Sequence, residues 1–263
     1  METVLHEAAA SEVKERLTEV NRTFTAPAIV GPLADRWMEW LGLSGARPVL
    51  DDEVLDLGVE AHDLVISALC LHGANDPVGQ LVQMRRALRP DGLLIAPLFG
   101  GETLSELRQA LTEAEVAVTG GLAPRVHPMG EIRDLGALLQ RAGFALPVAD
   151  SATFTLTYRD IVHLMHDLRA MGEANVLAAR HRGGMRRSVL GQAAALYAER
   201  FPAEGGRIAA TFEIVTLTGW APAETQQKPL RPGSAAMRLA DALGTEERAA
   251  GDAATPHRGQ RRD

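Results

Sequence analysis

His72 is the residue of this chain whose side chain type is best suited to acid–base chemistry. An imidazole changes its charge near neutral pH, so a positioned histidine can accept a proton from a reacting group. His72 lies in the loop that follows the apolar run at residues 63–67. Two interpretations are open: a general base, or a structural histidine that is hydrogen-bonded to the backbone.

Other titratable residues give weaker signals. His163, His166 and Asp167 fall on one predicted helix, where a three-residue spacing brings the two imidazoles to neighbouring positions. A metal site needs more ligands than this, and we predict none. Cys70 has no evident base partner and is interpreted as a small buried side chain rather than a nucleophile.

Two further segments allow either a functional or an ordinary explanation. The glycine- and proline-rich segment at 120–128 precedes a predicted helix and either covers a site or simply connects two helices. Positive charge also concentrates around residues 183–184 of an acidic chain. An acidic partner and a solvated helix end both explain that cluster, which consists of Arg180, His181, Arg182, Arg186 and Arg187.

His72 is positioned by a predicted strand–helix–strand unit at residues 62–101. The run Asp63–Ser67 suits a strand that is buried on both faces of a parallel sheet. Asp76 and Pro77 then favour a helix start, since one supplies an acceptor and the other lacks a donor that the first turn does not need. The second strand is predicted at 93–96. A right-handed crossover makes the two strands parallel neighbours.

The motifs DLVIS, LCLHGANDP and LRPDGLLIAPLFGG in this unit resemble the fourth and fifth strands of class I S-adenosylmethionine-dependent methyltransferases. The narrower resemblance is to the branch that contains the malonyl-carrier-protein methyltransferase of biotin synthesis and the methyltransferase-like mitochondrial complex I assembly factor. Further segments carry it: GGETLSELRQAL at 100–111, GGLAPRVHPMGEIRDLGALLQRAGF at 120–144, LMHDLRAMGEAN at 164–175, TFEIVTLTGWAP at 211–222 and KPLRPGSA at 228–235.

The resemblance implies an α/β fold with a Rossmann-like sheet and helices on both of its faces. It also implies S-adenosylmethionine as the cofactor, with Asp51, Asp52 and Leu69 as its contacts, and His72 facing the cofactor or substrate. A solvated acidic turn is the alternative for the two aspartates. The same branch implies a protein or carrier-protein partner.

The glycine-rich turn that normally opens such a sheet is not evident upstream. Val54–Gly58 looks like a first strand, but only four residues separate Gly58 from Asp63, whereas a strand–helix–strand unit needs roughly 30. We therefore expect the N-terminal part of the sheet to be truncated or degenerate. Because an uncovered strand edge promotes aggregation, we predict that Pro48–Leu50 or another chain pairs with the strand at 63–67.

Two functions are open on this basis. One is a methyltransferase whose degenerate cofactor loop affects its activity, and the other is a non-catalytic assembly or binding protein that acts on a protein partner. Hydroxylation of a protein arginine is implied only by the assembly-factor relative.

Composition excludes several classes of protein. The net charge of −7 argues against general nucleic-acid binding, and the sequence contains no apolar stretch of membrane-spanning length. The single cysteine and the lack of a signal-peptide core indicate a reducing compartment, so the expected location is the cytoplasm. The predicted organisation is an N-terminal helical segment at 1–46, a methyltransferase-like α/β domain at 47–243 and a disordered tail at 244–263.

Overall fold

One mixed β-sheet with helices on both faces organises the computed structural model, which describes residues 3–178, 180 and 183–226. The helices in this part of the chain are α1 Val4–Val20, α2 Ala34–Leu41, α3 Pro77–Ala87, α4 Ser105–Thr119, α5 Ile132–Arg141, α6 Ile161–Ala170 and α7 Arg187–Arg200. The strands are β1 Pro27–Val30, β2 Arg47–Val49, β3 His62–Ser67, β4 Leu88–Phe99, β5 Ala145–Tyr158, β6 Pro202–Ala203 and β7 Arg207–Trp220.

The strand order is β2-β1-β3-β4-β7-β5, with the short β6 paired to β7. The first four strands in this order are parallel, and β7 runs antiparallel to both β4 and β5. Two apolar layers pack on opposite faces of the sheet. One contains α1, α2, α4, α6 and α7, and the other contains α3 and α5. The predicted α/β, Rossmann-like fold class is confirmed.

The edge of β3 is covered by β1 and not by the predicted segment Pro48–Leu50. Pro27 lies opposite Leu64, and Val30 lies opposite Ser67. Strand β2 pairs with the outer edge of β1 instead. The pairing prediction was wrong because the 23 residues at 25–47 contain a four-residue strand as well as an eight-residue helix. The range 1–46 therefore contributes a strand to the sheet as well as helices.

Asp63 fastens the start of β1 to β3. Its carboxylate accepts hydrogen bonds from the Thr25 backbone nitrogen at 2.6 Å, the Thr25 hydroxyl at 2.8 Å and the Ala26 backbone nitrogen at 2.9 Å. Strand β1 has only four residues, so these three hydrogen bonds add to a short ladder of backbone hydrogen bonds between β1 and β3.

Helix α1 packs over this region through an aromatic contact. Trp37 of α2 is fully buried, and its indole nitrogen donates to Nδ1 of His6 at 3.2 Å. Trp40 lies 6.2 Å from Trp37, centroid to centroid. Trp37 therefore belongs to the core, while Trp40 is partly buried.

Two helix boundaries differ from the sequence pattern. Thr103 and Glu106 match a capping box, but α4 begins at Ser105 without a side-chain cap. Thr103 instead donates to the Glu213 carbonyl, and the Glu106 carboxylate accepts from Thr211 of β7. The residue pattern after Asp160 favours a helix that continues to about residue 180, but α6 ends at Ala170 because the chain turns at Gly172.

The expected disorder at 244–263 lies outside the described residues. Among the residues that the structure describes, no helix combines the length and apolar character needed to cross a bilayer.

Candidate functional site

A cavity of about 320 Å³ lies at the carboxyl ends of β1, β2 and β3. From β1 the chain passes to β2 on one side, whereas from β3 it passes to β4 on the other. Such a reversal of strand order opens a crevice that binds ligands in open α/β sheets. Its wall includes Pro32, Asp51, Leu69, Cys70, His72, Gln80, Leu104, Leu107, Arg125, Val126, His127, Met129, Leu168, Met171, Glu173 and Asn175.

The turn from β1 into α2 contains only Gly31, Pro32 and Leu33. Gly31 has φ of 124°, and a Cβ atom added there would lie 2.9 Å from the Cys70 sulfur. Pro32 borders the cavity but has no backbone N–H, and Leu33 caps α2 with φ of 56° and no side-chain cap bond. This turn therefore offers a ligand fewer backbone donors than a glycine-rich turn would.

The acidic loop after β2 is fixed to α3 by two glutamines. Gln80 donates to the Asp52 carbonyl at 3.2 Å. Gln83 donates to the Glu53 carbonyl at 2.9 Å and accepts from the Leu55 nitrogen at 2.8 Å. Asp51 borders the cavity as a result, whereas Asp52 is not among the cavity residues.

Leu69, the third predicted cofactor contact, also borders the cavity and adopts φ of 53°. The segment Val54–Gly58 contains no strand, as expected of a sequence that only resembles one. The structure thus brings Asp51, Leu69 and His72 together, and leaves Asp52 at the surface of the same loop.

His72 lies at hydrogen-bond distance from Glu173 in the cavity wall. Its Nε2 lies 3.0 Å from Oε2 of Glu173, and the two side chains are 8% and 21% exposed. The ring of Phe99 packs at 5.0 Å from the imidazole. Nδ1 of His72 is buried and has no hydrogen-bond partner within the described residues.

The segment at 120–128 borders the cavity. Arg125 is held by Glu115 at 2.6 Å, and Asn175 donates to the Pro124 carbonyl at 2.7 Å. Burial, followed by the nearby His72, lowers the pKa of His127. The neutral imidazole of His127 and the guanidinium of Arg125, whose charge is balanced by Glu115, therefore line this side of the cavity.

Cys70 is a protonated thiol in this setting. Burial raises its pKa to about 12, although Ser67 lies at hydrogen-bond distance, 3.3 Å from its sulfur. Cys70 is partly buried by its accessible surface, and its raised pKa argues against a nucleophile because the thiolate is the reactive form of cysteine.

His163 and Asp167, two of the three residues on the predicted histidine-bearing helix, have other hydrogen-bond partners in the structure. Asp167 accepts a hydrogen bond from the Tyr158 hydroxyl at 3.0 Å, and the His163 nitrogen donates to Asp160. Within the part of the chain that the structure describes, no three histidine, cysteine, aspartate or glutamate residues are arranged to hold a metal ion.

A second cavity of about 370 Å³ shares Glu173 and Arg125 with the first. Arg180 of the predicted basic cluster borders it, together with Arg169. His181 and Arg182 lie outside the described residues, and Arg186 and Arg187 form the start of α7.

Sequence reasoning missed Glu173 and Gln80. By its spacing in the sequence, Gln80 falls on the polar face of its helix. Glu173 lies in the motif LMHDLRAMGEAN, whose residue pattern favours a helix that continues past it. The glycine before Glu173 was the available signal, because glycine commonly ends a helix.

The comparisons with known proteins agree with this fold. No family model matches the chain. It is 36% identical over 261 residues to the mitochondrial arginine-hydroxylase NDUFAF5 of Danio rerio, covering 90% of this chain and 81% of that protein. It is 38% identical over 183 residues to the malonyl-(acyl-carrier protein) O-methyltransferase of Laribacter hongkongensis, covering 70% and 59%. The YcgJ protein of Bacillus subtilis shares the fold, with a TM-score of 0.51 at 9% identity over 82% of this chain and 99% of that one.

The relatives differ in length and correct one expectation. The chain spans 45% of the Dictyostelium discoideum NDUFAF5, to which it is 39% identical. The expected cytoplasmic location is wrong by this comparison, because the Danio rerio and Dictyostelium relatives are mitochondrial proteins.

The extent of the match with the Danio rerio protein, together with the sheet order and the methyltransferase relatives, decides the family. The chain belongs to the NDUFAF5 branch of the S-adenosylmethionine-dependent methyltransferase-like proteins.

Proposed function

We propose that this chain binds S-adenosylmethionine in the first cavity and directs its methyl group to an acceptor. The observation that carries the proposal is the position of Asp51, a carboxylate after β2, at a cavity that lies over the carboxyl ends of β1 and β3. In dinucleotide-binding sheets an acidic residue at the end of a strand holds ribose hydroxyls. Asp51 would hold the ribose in the same way.

The residues of the cavity fit this cofactor in charge and size. A volume of about 320 Å³ falls within the range of roughly 300–1,000 Å³ for small-molecule sites. Asp51 and Glu173 supply negative charge beside a ligand that carries a positive sulfonium. When bound, the cofactor supplies a methyl group that is already activated, so the protein contributes mainly position and the exclusion of water.

His72 is the proposed general base. It borders the cavity, its side chain is almost completely buried, and its imidazole is oriented by a carboxylate. These are the properties expected of a group that accepts a proton from an acceptor hydroxyl or amine as the methyl group is transferred.

We propose a protein-borne acceptor. The Laribacter relative is named for a substrate on acyl-carrier protein, and the Danio relative is named an arginine-hydroxylase. The second cavity, which shares Glu173 with the first, gives an acceptor side chain a separate approach.

Calorimetric titration with S-adenosylmethionine and S-adenosylhomocysteine tests the proposal. We expect binding in the micromolar range by the wild type. We expect Asp51→Asn to weaken affinity about tenfold, the effect of losing one charge-assisted hydrogen bond that remains partly solvated. Asp52→Asn is the matched control and should keep the wild-type affinity, because its side chain does not border the cavity.

Equal weakening by both aspartate variants would contradict the assignment of Asp51. Failure of the wild type to bind either ligand at millimolar concentration would overturn the proposed cofactor.

A second function is favoured by the turn after β1. Its three residues include a proline, and its single glycine packs against the Cys70 sulfur. A non-catalytic assembly or binding protein would retain the sheet without needing that turn to hold a cofactor. Absence of cofactor binding, together with stoichiometric co-purification of one defined protein, is the result that this alternative predicts.

A further inference from the structure

We infer that Glu173 is a positioning residue that fixes the tautomer and orientation of His72. The inference deepens the proposed function, since it assigns how the general base of that reaction is prepared. It rests on the Nε2–Oε2 distance of 3.0 Å, on the burial of the pair and on the unpartnered Nδ1.

The backbone holds Glu173 in a defined place. Helix α6 ends at Ala170, and Gly172 adopts φ of 87°, a left-handed conformation that suits glycine. The Glu173 nitrogen then donates to the Leu168 carbonyl at 2.8 Å. Because this turn closes the helix, the carboxylate is directed at His72 by regular backbone geometry.

The contact decides which nitrogen carries the proton. A carboxylate accepts hydrogen bonds and does not donate them, so Nε2 of His72 must be the protonated nitrogen. The lone pair of the neutral imidazole is then on Nδ1. Phe99 packs against the ring and restricts its rotation.

Nδ1 is therefore a buried acceptor that the described residues do not satisfy. Such groups are rare in folded proteins, and a ligand that donates a hydrogen bond would remove the cost of leaving it unpaired. An acceptor hydroxyl or amine has the donor that this position lacks, and because Nδ1 is closed to solvent, the side chains around it must move before the acceptor can donate to it.

The pair then accounts for the proton in methyl transfer. The bond between the acceptor atom and the methyl carbon forms, the sulfur–carbon bond breaks with its electron pair remaining on sulfur, and the acceptor's proton moves to Nδ1. The resulting imidazolium is stabilised by the Glu173 carboxylate, as a buried carboxylate does in a catalytic triad.

Nitrogen-15 NMR of the imidazole rings tests the inference without an acceptor. The His72 signals are assigned by their loss in His72→Gln. We expect the wild type to show a single neutral tautomer with the proton on Nε2. Glu173→Ala should give a mixture of tautomers, whereas Glu173→Gln should retain the wild-type tautomer because its amide oxygen still accepts.

Glu199→Gln is the matched control, since Glu199 is an exposed residue of α7, and it should leave the His72 signals unchanged. An unchanged tautomer in Glu173→Ala would overturn the inference. Titration of the wild type with S-adenosylhomocysteine is run in parallel, so that the proposed cofactor is tested separately from the tautomer. A tautomer change without any binding by the wild type would support the positioning role and refute the proposed cofactor.

Discussion

Burial sets the protonation of several groups at the cavity. It raises the pKa of Cys70 to about 12 and lowers the pKa of His127. Both groups are therefore uncharged at neutral pH. The charges that face a ligand belong chiefly to the carboxylates of Asp51 and Glu173. The site therefore suits a cationic ligand. The sequence nominated His72 from its place after a predicted strand and Asp51 through the family resemblance, but it could not show that Glu173, about a hundred residues away, meets His72.

Gly31 is the residue at which the shortened turn depends on backbone conformation. Its φ of 124° and the 2.9 Å approach to the Cys70 sulfur leave no room for a Cβ atom. We expect Gly31→Ala to lower the free energy of unfolding by about 1–3 kcal/mol, measured by urea denaturation. Gly45→Ala is the control, because Gly45 has no neighbour within 4 Å of such an atom. Equal effects of the two substitutions would contradict this account.

At the scale of elements, the short strand β1 replaces what the sequence suggested was missing. Although β1 has only four residues, it pairs with β2 on one side and β3 on the other. The Asp63 carboxylate at the start of β3 accepts a hydrogen bond from Thr25, just before β1. The sequence contains the unit Pro27–Leu41, but a count of residues against typical unit lengths does not recognise a strand this short. Strand β1 pairs with the edge of β3 through backbone hydrogen bonds, and a local sequence pattern does not reveal such a pairing.

Asp63 should contribute a pH-dependent part of the stability of this anchor. Burial raises its pKa, but the hydrogen bonds from Thr25 and Ala26 together outweigh that effect and lower the pKa below its usual value. A carboxyl with a lowered folded-state pKa stabilises the protein above the unfolded-state pKa of about 4 and loses that contribution as pH falls through the folded value.

We therefore expect Asp63→Asn to cost about 1 kcal/mol at pH 7, because the amide keeps one accepting oxygen and places a donor NH₂ where the other oxygen accepted a backbone N–H. The difference from the wild type should shrink in urea denaturation below about pH 4. Asp56→Asn is the control, since the ion pair of Asp56 with Arg47 is 89% exposed on the carboxylate side. A difference between wild type and Asp63→Asn that stayed constant with pH would refute the role assigned to the carboxylate.

At the scale of the whole molecule, the sheet is continuous from β2 through β1 and β3 to β4, β7 and β5. The interior position of β3, between β1 and β4, keeps the cavity at the reversal of strand order. The outer edge is left to β2, which has three residues and includes Pro48. A short edge strand with a proline is a recognised protection against pairing with other chains.

Hydrogen–deuterium exchange tests this arrangement. We expect slow exchange for Leu64–Ile66 and faster exchange for Arg47–Val49, because the first strand is paired on both sides and the second on one. The protection of β3 should be the same in dilute and concentrated samples, since its cover comes from the same chain. Rapid exchange of β3 on dilution would show that another chain supplies the cover.

The sequence by itself identified the family and the α/β class through motifs that resemble known proteins, and hydrophobic periodicity predicted the strand–helix–strand unit around His72, because motifs and periodicity are local properties. The resemblance also implied Asp51 as a cofactor contact. The tertiary structure decided that β1 covers β3, that Gln80 fixes the acidic loop and that Glu173 meets His72. These contacts join residues far apart in the chain, and they form only because the sheet brings strand ends and helix ends to one cavity.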